Sequence, residues 1–444
     1  MKLRYRDLTR TEKSWVLYDW ANSAYATIMM TAIYPIYFNQ MVHEQTGVAN
    51  GDAWWGIGSS LSMFAVAVAA PLIGAFADYK GYKRKLFAFF LGLGVLCTLF
   101  AAFAEHWGLL LVGYVLSCAG FHGSCLINDS FLTDVTTPER MDTVSSYAYA
   151  MGYIGGSTIP FLISIVMVST IGGTLAVKLS VVLTALWWAV FSIPYLKNIR
   201  QAHYVEKPES GIVKNTFAAI GRTAQKIVRN KAIFWFILAY FLYIDGVGTI
   251  INMSTSYGTT LGLDSTGMIL ALLVTQLVAV PCSIWFSRLS QRFGNLRMLT
   301  LAVLIYLAIC CVGFFMGFGL EEAWFGTETG LVLFWTLAIM VGTVQGGIQA
   351  ISRSHFGKLV PPENSGEFFG FFDIFGKFAS VIGPGLYAVT KTVTGRSSLA
   401  ILSIVILFLL ALLIMVTQHK TMNAAHSFPS NADQPPPESP SPQP

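Results

Sequence analysis

Charge is scarce in this chain. Asp, Glu, Lys and Arg make up 11% of its 444 residues, less than half of the ~25% usual in a soluble globular domain. An ordinary soluble enzyme or signalling fold is thereby excluded. No GxxxxGK[ST] stretch occurs, which removes ATP-driven pumping, and no motif joins a nucleophile to a base. The six cysteines, Cys97, Cys118, Cys125, Cys282, Cys310 and Cys311, fall inside apolar stretches without metal-ligand spacing. They read as core residues, so no zinc, other metal or cofactor is expected. Short alternating segments of the kind a membrane β-barrel needs are also missing.

Hydrophobic residues, in contrast, make up 54%. A ~19-residue window finds twelve apolar stretches, at 14–38, 54–77, 86–104, 108–132, 144–171, 175–196, 233–257, 266–289, 296–318, 329–352, 366–391 and 397–417. Backbone groups in hydrocarbon must be satisfied within their own segment, so each stretch predicts a helix. Alternating the spans puts 24 of the 28 Lys/Arg on the side of both termini. Lys178, Lys391 and Arg396 fall on the other side and Lys377 within a span. Basic loops stay in the cytoplasm, so both termini are expected there. The formal net charge of +5 is therefore a topology signal, and no nucleic acid or obligate protein partner is expected.

Residues 1–13 form a cytoplasmic segment, 14–196 one group of six spans, 197–232 a basic linker, 233–417 a second group, and 418–444 a Pro-rich tail read as disordered. The linker predicts an amphipathic helix over 212–228 lying on the membrane surface, and 39–53 predicts an outward loop. A shift of 224 residues superposes Ser130 on Ser354, Pro138-Glu139 on Pro362-Glu363, Gly152 on Gly376 and Pro160 on Pro384. A shift of 226 brings Asp19 onto Asp245, and one of 213 brings Asp78-Gly81 onto Gln291-Gly294. The expected fold is an all-α membrane protein of twelve transmembrane helices in two pseudo-symmetric six-helix bundles, a plan used by transporters with a midplane site.

The loop GAFADYKGYKR at 74–84 resembles the cytoplasmic loop motif of the major facilitator superfamily, and SRLSQRFGNLR at 287–297 resembles a degenerate copy with Gln291 in place of the acid. YDWANSAY at 18–25, with SRS, LVPPE and EFFGFFDIFGKFASVIGP between 352 and 384, is similar to the branch holding the autophagy-linked vacuolar amino-acid effluxers of yeast and their bacterial relatives. The resemblance runs from about residue 12 to 417. It implies efflux of amino acids, in the cell (inner) membrane of a bacterium or the vacuolar membrane of a eukaryote. The compact loops fit a bacterial member better. The fourth span, SCAGFHGSC, lacks the arginine common in proton-linked antiporters, so antiport is not implied.

In that fold spans 1, 4, 7 and 10 line the central cavity. Ionisable groups among apolar residues must face protein or water, which selects the candidates. Substrate or coupling residues are expected at Asp19, Asn22 and Tyr25, at His122, at Asp245 and Asn252, and at Gln345, Gln349 and Lys377. Tyr18, Asn22 and Tyr25 share a face by their spacing, and Asp245 lies deepest. Lys377 could pair with Asp245 or with Asp373 one turn before it, and Lys377 or Arg353 could hold a substrate carboxylate. Gating is expected from Asp78, Lys83 and Arg84 in the loop and from Asp129, Arg353 and Asp373. In the 224 frame Asp129 falls on Arg353 and Asp134 on Lys358, predicting cross-half ion pairs. The Gly152/Gly156, Gly313/Gly317 and Gly342/Gly346 pairs predict close helix packing.

The expected function is a secondary transporter of a small polar organic solute, with a proton as possible coupling ion and the lipid bilayer as surroundings. A lipid or drug exporter of the same fold is the alternative. A receptor or enzyme finds little support.

Overall fold

Thr9 opens the first long helix through a reciprocal cap. Its Oγ1 accepts from the Glu12 amide at 3.1 Å, and the Glu12 carboxylate accepts from the Thr9 amide at 2.7 Å. From there the structure, a computed structural model describing residues 4–47, 51–207 and 212–423, is a succession of helices. They are α1 (Arg10–Tyr25), α2 (Tyr34–Thr46), α3 (Gly51–Ala77), α4 (Tyr82–Phe103), α5 (Trp107–Ser130), α6 (Leu132–Val135), α7 (Met141–Gly152), α8 (Ile159–Thr170) and α9 (Gly173–Asn198). After the linker come α10 (Ile212–Arg229), α11 (Lys231–Thr260), α12 (Ser265–Phe293), α13 (Asn295–Glu321), α14 (Thr327–Leu359), α15 (Ser365–Thr394), α16 (Ser397–Ser403), α17 (Val405–Thr417) and α18 (His419–Asn423).

Two widened π turns, Ala26–Ala32 and Tyr153–Thr158, join α1 to α2 and α7 to α8. Each precedes a proline, Pro35 or Pro160, that cannot donate to the turn before it. Thr31 and Thr158 hydroxyls reach back to the carbonyls of Ala26 and Tyr153, both at 3.0 Å, and help hold the wider turn. Gly81, at φ +76°, makes the tight turn between α3 and α4.

Among the described residues ten helical runs are long and apolar enough to cross a membrane, and they coincide with predicted spans 2 to 10 and 12. The first and eleventh predicted spans are helical too, as α1 to α2 and as α15. They are less apolar because they carry Asp19, and Asp373 with Lys377. Some boundaries differ from the sequence reading. The expected loop at 39–53 is helical through Thr46, where Gly47 at φ +71° ends the helix. The expected tail begins with α18, which packs on α11, while residues 424–444 lie outside the described residues.

Buried apolar side chains form two clusters. One runs from Leu8 to Ile199 and the other from Ile227 to Met422, joined by Ala70 and Leu126. Outward faces are apolar as lipid contact requires, as with Phe89, Leu96 and Phe103 of α4 at 61%, 67% and 70% exposure. The halves meet along α3 with α15 and along α7 with α12 and α14.

Candidate functional site

Arg353 of α14 lies between two aromatic rings, with its guanidinium 4.6 Å from the ring centres of both Trp15 and Tyr149. Its Nε donates to Ser145 Oγ at 3.0 Å and its Nη1 to Asp129 Oδ1 at 2.9 Å and Asp19 Oδ2 at 3.2 Å. Nη2 donates to Asp19 Oδ2 and to the Ser145 carbonyl, both at 3.2 Å. These contacts engage all five guanidinium N–H groups. Arg353 is 4% exposed and Asp19 also receives Asn128 Nδ2 at 3.3 Å. Two carboxylates share one guanidinium, so the ionised cluster carries one net negative charge. It borders a cavity of about 300 Å³ that also takes in Asn22, Gln276, Gln345 and Gln349.

Polar contacts between the halves gather on the side where the chain enters α1. On one flank Asp78, just past α3, accepts the Gly366 and Glu367 amides at 2.7 and 2.9 Å. Both amides belong to the first turn of α15, where a helix has no partners of its own. Lys83 donates to Ser365 Oγ at 2.9 Å and pairs with Asp134 at 2.8 Å. On the other flank Gln291 donates to Thr143 Oγ1 at 2.6 Å, and Asn295 to Asp142 at 2.8 Å. In the 213 and 224 frames Gln291 corresponds to Asp78 and Thr143 to Glu367, so the degenerate loop performs the matching contact. Gly74 of α3 and Gly366 of α15 touch through their backbones: a Cβ at Gly74 would lie 2.0 Å from the Gly366 carbonyl oxygen.

Burial raises the Asp78 carboxyl to about 7, against the opposing pull of Lys83 and the two amides. Asp134 titrates below the usual range because Lys83 and His203 outweigh its burial. His203, beside Asp134, is raised by that hydrogen bond.

Several predicted residues lie elsewhere. Tyr18 and Tyr25 turn toward α5, bonding Ser124 and Ser117 at 2.7 Å each, so the face they define is a packing face. Asp245 is 1% exposed and takes the Gly383 amide with both oxygens at 3.0 Å. Its place is the α11–α15 seam, apart from the cavity lining. Asn252 is exposed and His122 has an unpartnered Nε2, and neither lines the cavity. Lys377 pairs with Asp373 within α15. Lys358 does not meet Asp134 but pairs with Asp142 at 2.7 Å, because Asp134 is drawn to Lys83. Arg84 bonds the Leu196 carbonyl, inside its own half. The paired glycines pack closely, Gly156 on Ser23, Gly346 on Ser283 and Gly317 on Tyr257.

Sequence reasoning missed Trp15, Tyr149, Ser145 and Asp142. Aromatics in an apolar stretch look like core, whereas Asp142 falls on Gly366 in the 224 frame, a signal that was readable.

The sequence family described as vacuole effluxer Atg22 like matches residues 52–140 and 133–426. The uncharacterized MFS-type transporter YxiO of Bacillus subtilis (strain 168) is 46% identical over 417 residues, covering 92% of this chain and 94% of that protein. Autophagy-related protein 22 of Coccidioides immitis (strain RS) is 23% identical over 504 residues, covering 86% and 81%. Among solved structures, the proton:xylose symporter XylE superposes with a TM-score of 0.69 at 9% identity, covering 92% of this chain and 95% of that one. An outward-facing bacterial homologue of the iron transporter ferroportin gives 0.68 at 13%, covering 94% and 100%. These likenesses carry the fold. The chain is a multi-pass membrane protein of the Atg22-like vacuole effluxer family, with the fold of the major facilitator superfamily.

Proposed function

We propose that this protein is a secondary transporter that moves a small organic solute bearing an ammonium group, amino acids being the class indicated by its Atg22 relatives, by alternating access. The supporting observation is the cluster of Asp19, Asp129 and Arg353 on the cavity wall. Its single net negative charge suits one ammonium group, or one proton. The amides of Asn22, Gln276, Gln345 and Gln349 offer donors to the solute's carboxylate. Arg353 does not serve that carboxylate in this state, since its N–H groups are already engaged.

The same cluster couples cargo to gate. An ammonium beside Asp19 and Asp129 competes with Arg353 for their oxygens, and Arg353 also binds Ser145 of the opposite half. Occupancy therefore weakens a cross-half tie. With basic loops held in the cytoplasm, the closed side is the cytoplasmic one and the cavity opens outward. The Atg22-like relationship favours efflux.

Flux of a radiolabelled amino-acid mixture into proteoliposomes, with and without a pH gradient, tests this reading. Asp129→Asn should reduce flux at least tenfold while leaving the protein folded. Absence of saturable flux for every amino acid would defeat it. A second reading, export of an apolar or lipid-like solute, draws on an apolar chamber of about 90 Å³ between α11, α12 and α14 that shares Gln276 and Gln345 with the cavity. Under that reading Asp129→Asn would leave export of hydrophobic dyes intact.

A further inference from the structure

A second cavity, of about 270 Å³, lies on the gate side of the molecule, away from the Arg353 cluster. Its walls come from four parts of the chain. The turn after α3 gives Asp78 and Tyr79, the linker gives Val205 and Glu206, α10 gives Arg222, Thr223 and Lys226, and the start of α15 gives Glu367. Its rim carries Arg222, Lys226 and Glu206, the last already paired with Lys80 at 3.1 Å, and its buried acids lie deeper. Glu367 is 2% exposed, and although Thr223 bonds its carboxylate, Oε1 is buried without a partner. Arg222 and Lys226 are exposed at the rim. A buried acceptor lacking a donor is costly, and Glu367 lines a cavity that has two cations at its mouth.

We infer that this cavity is a regulatory binding site for a small zwitterion, whose ammonium group meets Glu367 and whose acidic group meets Arg222 and Lys226. Both halves form the walls, so the site exists only while the gate is closed. Asp78 and Glu367 separate when α3 and α15 part, and the bound zwitterion loses half its contacts. By linkage, such a ligand stabilises the closed gate and holds back opening toward that side. The helix α10 joins the effect to the gate directly, because Tyr79 bonds Thr216 at 3.3 Å and Thr223 bonds Glu367. The site is independent of the transported solute.

The amides of Gly366 and Glu367 report the state of the gate, since Asp78 is their partner only when it is closed. The full chain in lipid nanodiscs is titrated with glycine and, separately, with taurine, with binding read by calorimetry and amide exchange read over residues 362–369. At ten times Kd, a ligand confined to the closed state lowers the open fraction about elevenfold, and exchange should slow by that factor. The exposed-residue variant Arg222→Gln/Lys226→Gln should lose the response, whereas Asp129→Asn, which disables the central cavity, should keep it. Slowing that survives Arg222→Gln/Lys226→Gln, or is lost in Asp129→Asn, overturns the proposal. So does an absence of response to both probes.

Discussion

Replacing Gly74 with alanine should open the gate. The added Cβ would sit 2.0 Å from the Gly366 carbonyl oxygen and 3.0 Å from the Glu367 amide nitrogen. Both are backbone atoms of α15, so no side-chain rotation relieves the clash. Restoring an ordinary contact of 3.4 Å moves the helices apart by about 1.4 Å, and rotation of α3 is opposed one turn earlier, where a Cβ on Gly370 would already meet the Ala70 carbonyl at 2.6 Å. The same displacement stretches the Asp78 hydrogen bonds, now 2.7 and 2.9 Å, to roughly 4 Å, beyond hydrogen-bond reach. At a pH above the Asp78 value of about 7, two bonds to a charged acceptor, at about 1.5–3 kcal/mol each, place the loss near 3–6 kcal/mol, or about 10²- to 10⁴-fold in the closed-to-open ratio. Each half keeps its own core, and alanine favours a helix over glycine, so the fold should survive.

The assay is a spin-label distance between Glu139→Cys and Glu363→Cys, positions equivalent in the two halves on the gate side. In the parent the short distance should dominate; in Gly74→Ala the long distance should become the major population, with faster exchange at Gly366 and Glu367. An unchanged distance distribution in a well-folded Gly74→Ala protein would refute the argument that backbone contact holds the two halves together.

Gln291→Asp, which would restore an acid to the second loop, should loosen the gate, because the new carboxylate faces the Thr143 site beside Asp142; a higher short-distance population would contradict this. Docking of the linker on Asp134 should be strongest in a pH window. The raised pKa of His203 gives stability that is complete below about 6.5 and lost as pH rises through the raised value, while the lowered pKa of Asp134 gives stability present above about 3.8 and lost as pH falls through the lowered value. Exchange at Ala202 and His203, whose amides bond Asp134 at 2.9 and 2.8 Å, corrected for its intrinsic pH dependence, should pass through a minimum there. Asp245→Leu should lower the melting temperature, since losing the Gly383 hydrogen bonds costs about 1–3 kcal/mol, with substrate Kd unchanged; a large rise in Kd with unaltered melting would return Asp245 to the binding site.

Hydropathy was sufficient to find the helices, and the offset of 224 residues foreshadowed the Asp129–Arg353 pair between the halves. It gave depth along a span but no azimuth. Asp245 is central in its helix, which made it a natural binding candidate, yet its side chain turns to Gly383 and not to the cavity. The spacing of Tyr18, Asn22 and Tyr25 predicts a common face, but Tyr18 and Tyr25 are covered by α5 while Asn22 lies at its edge and reaches the cavity. Asp134 and Lys358 failed to pair because the shift aligns sequence positions, while the break between α5 and α7 leaves Asp134 beside Lys83 and brings Asp142 to α14. The π turns left only a faint sign, a threonine followed by a proline.

The departure of the second loop from the first then has a physical explanation. A helix that starts at a closing seam needs negative charge at its first turn. In α15 the second residue is Gly366, which has no side chain and allows backbone contact with Gly74, so the acid must come from across the seam, as Asp78. In α7 the second residue is Asp142, which supplies the charge itself, and the loop opposite needs only neutral donors, Gln291 and Asn295. Asp142 is held further by Ser354 at 2.6 Å and Lys358 at 2.7 Å, both from α14. Thus the same requirement is met from opposite sides of the two seams, and the substitution of Gln291 for an acid is compensated by Asp142.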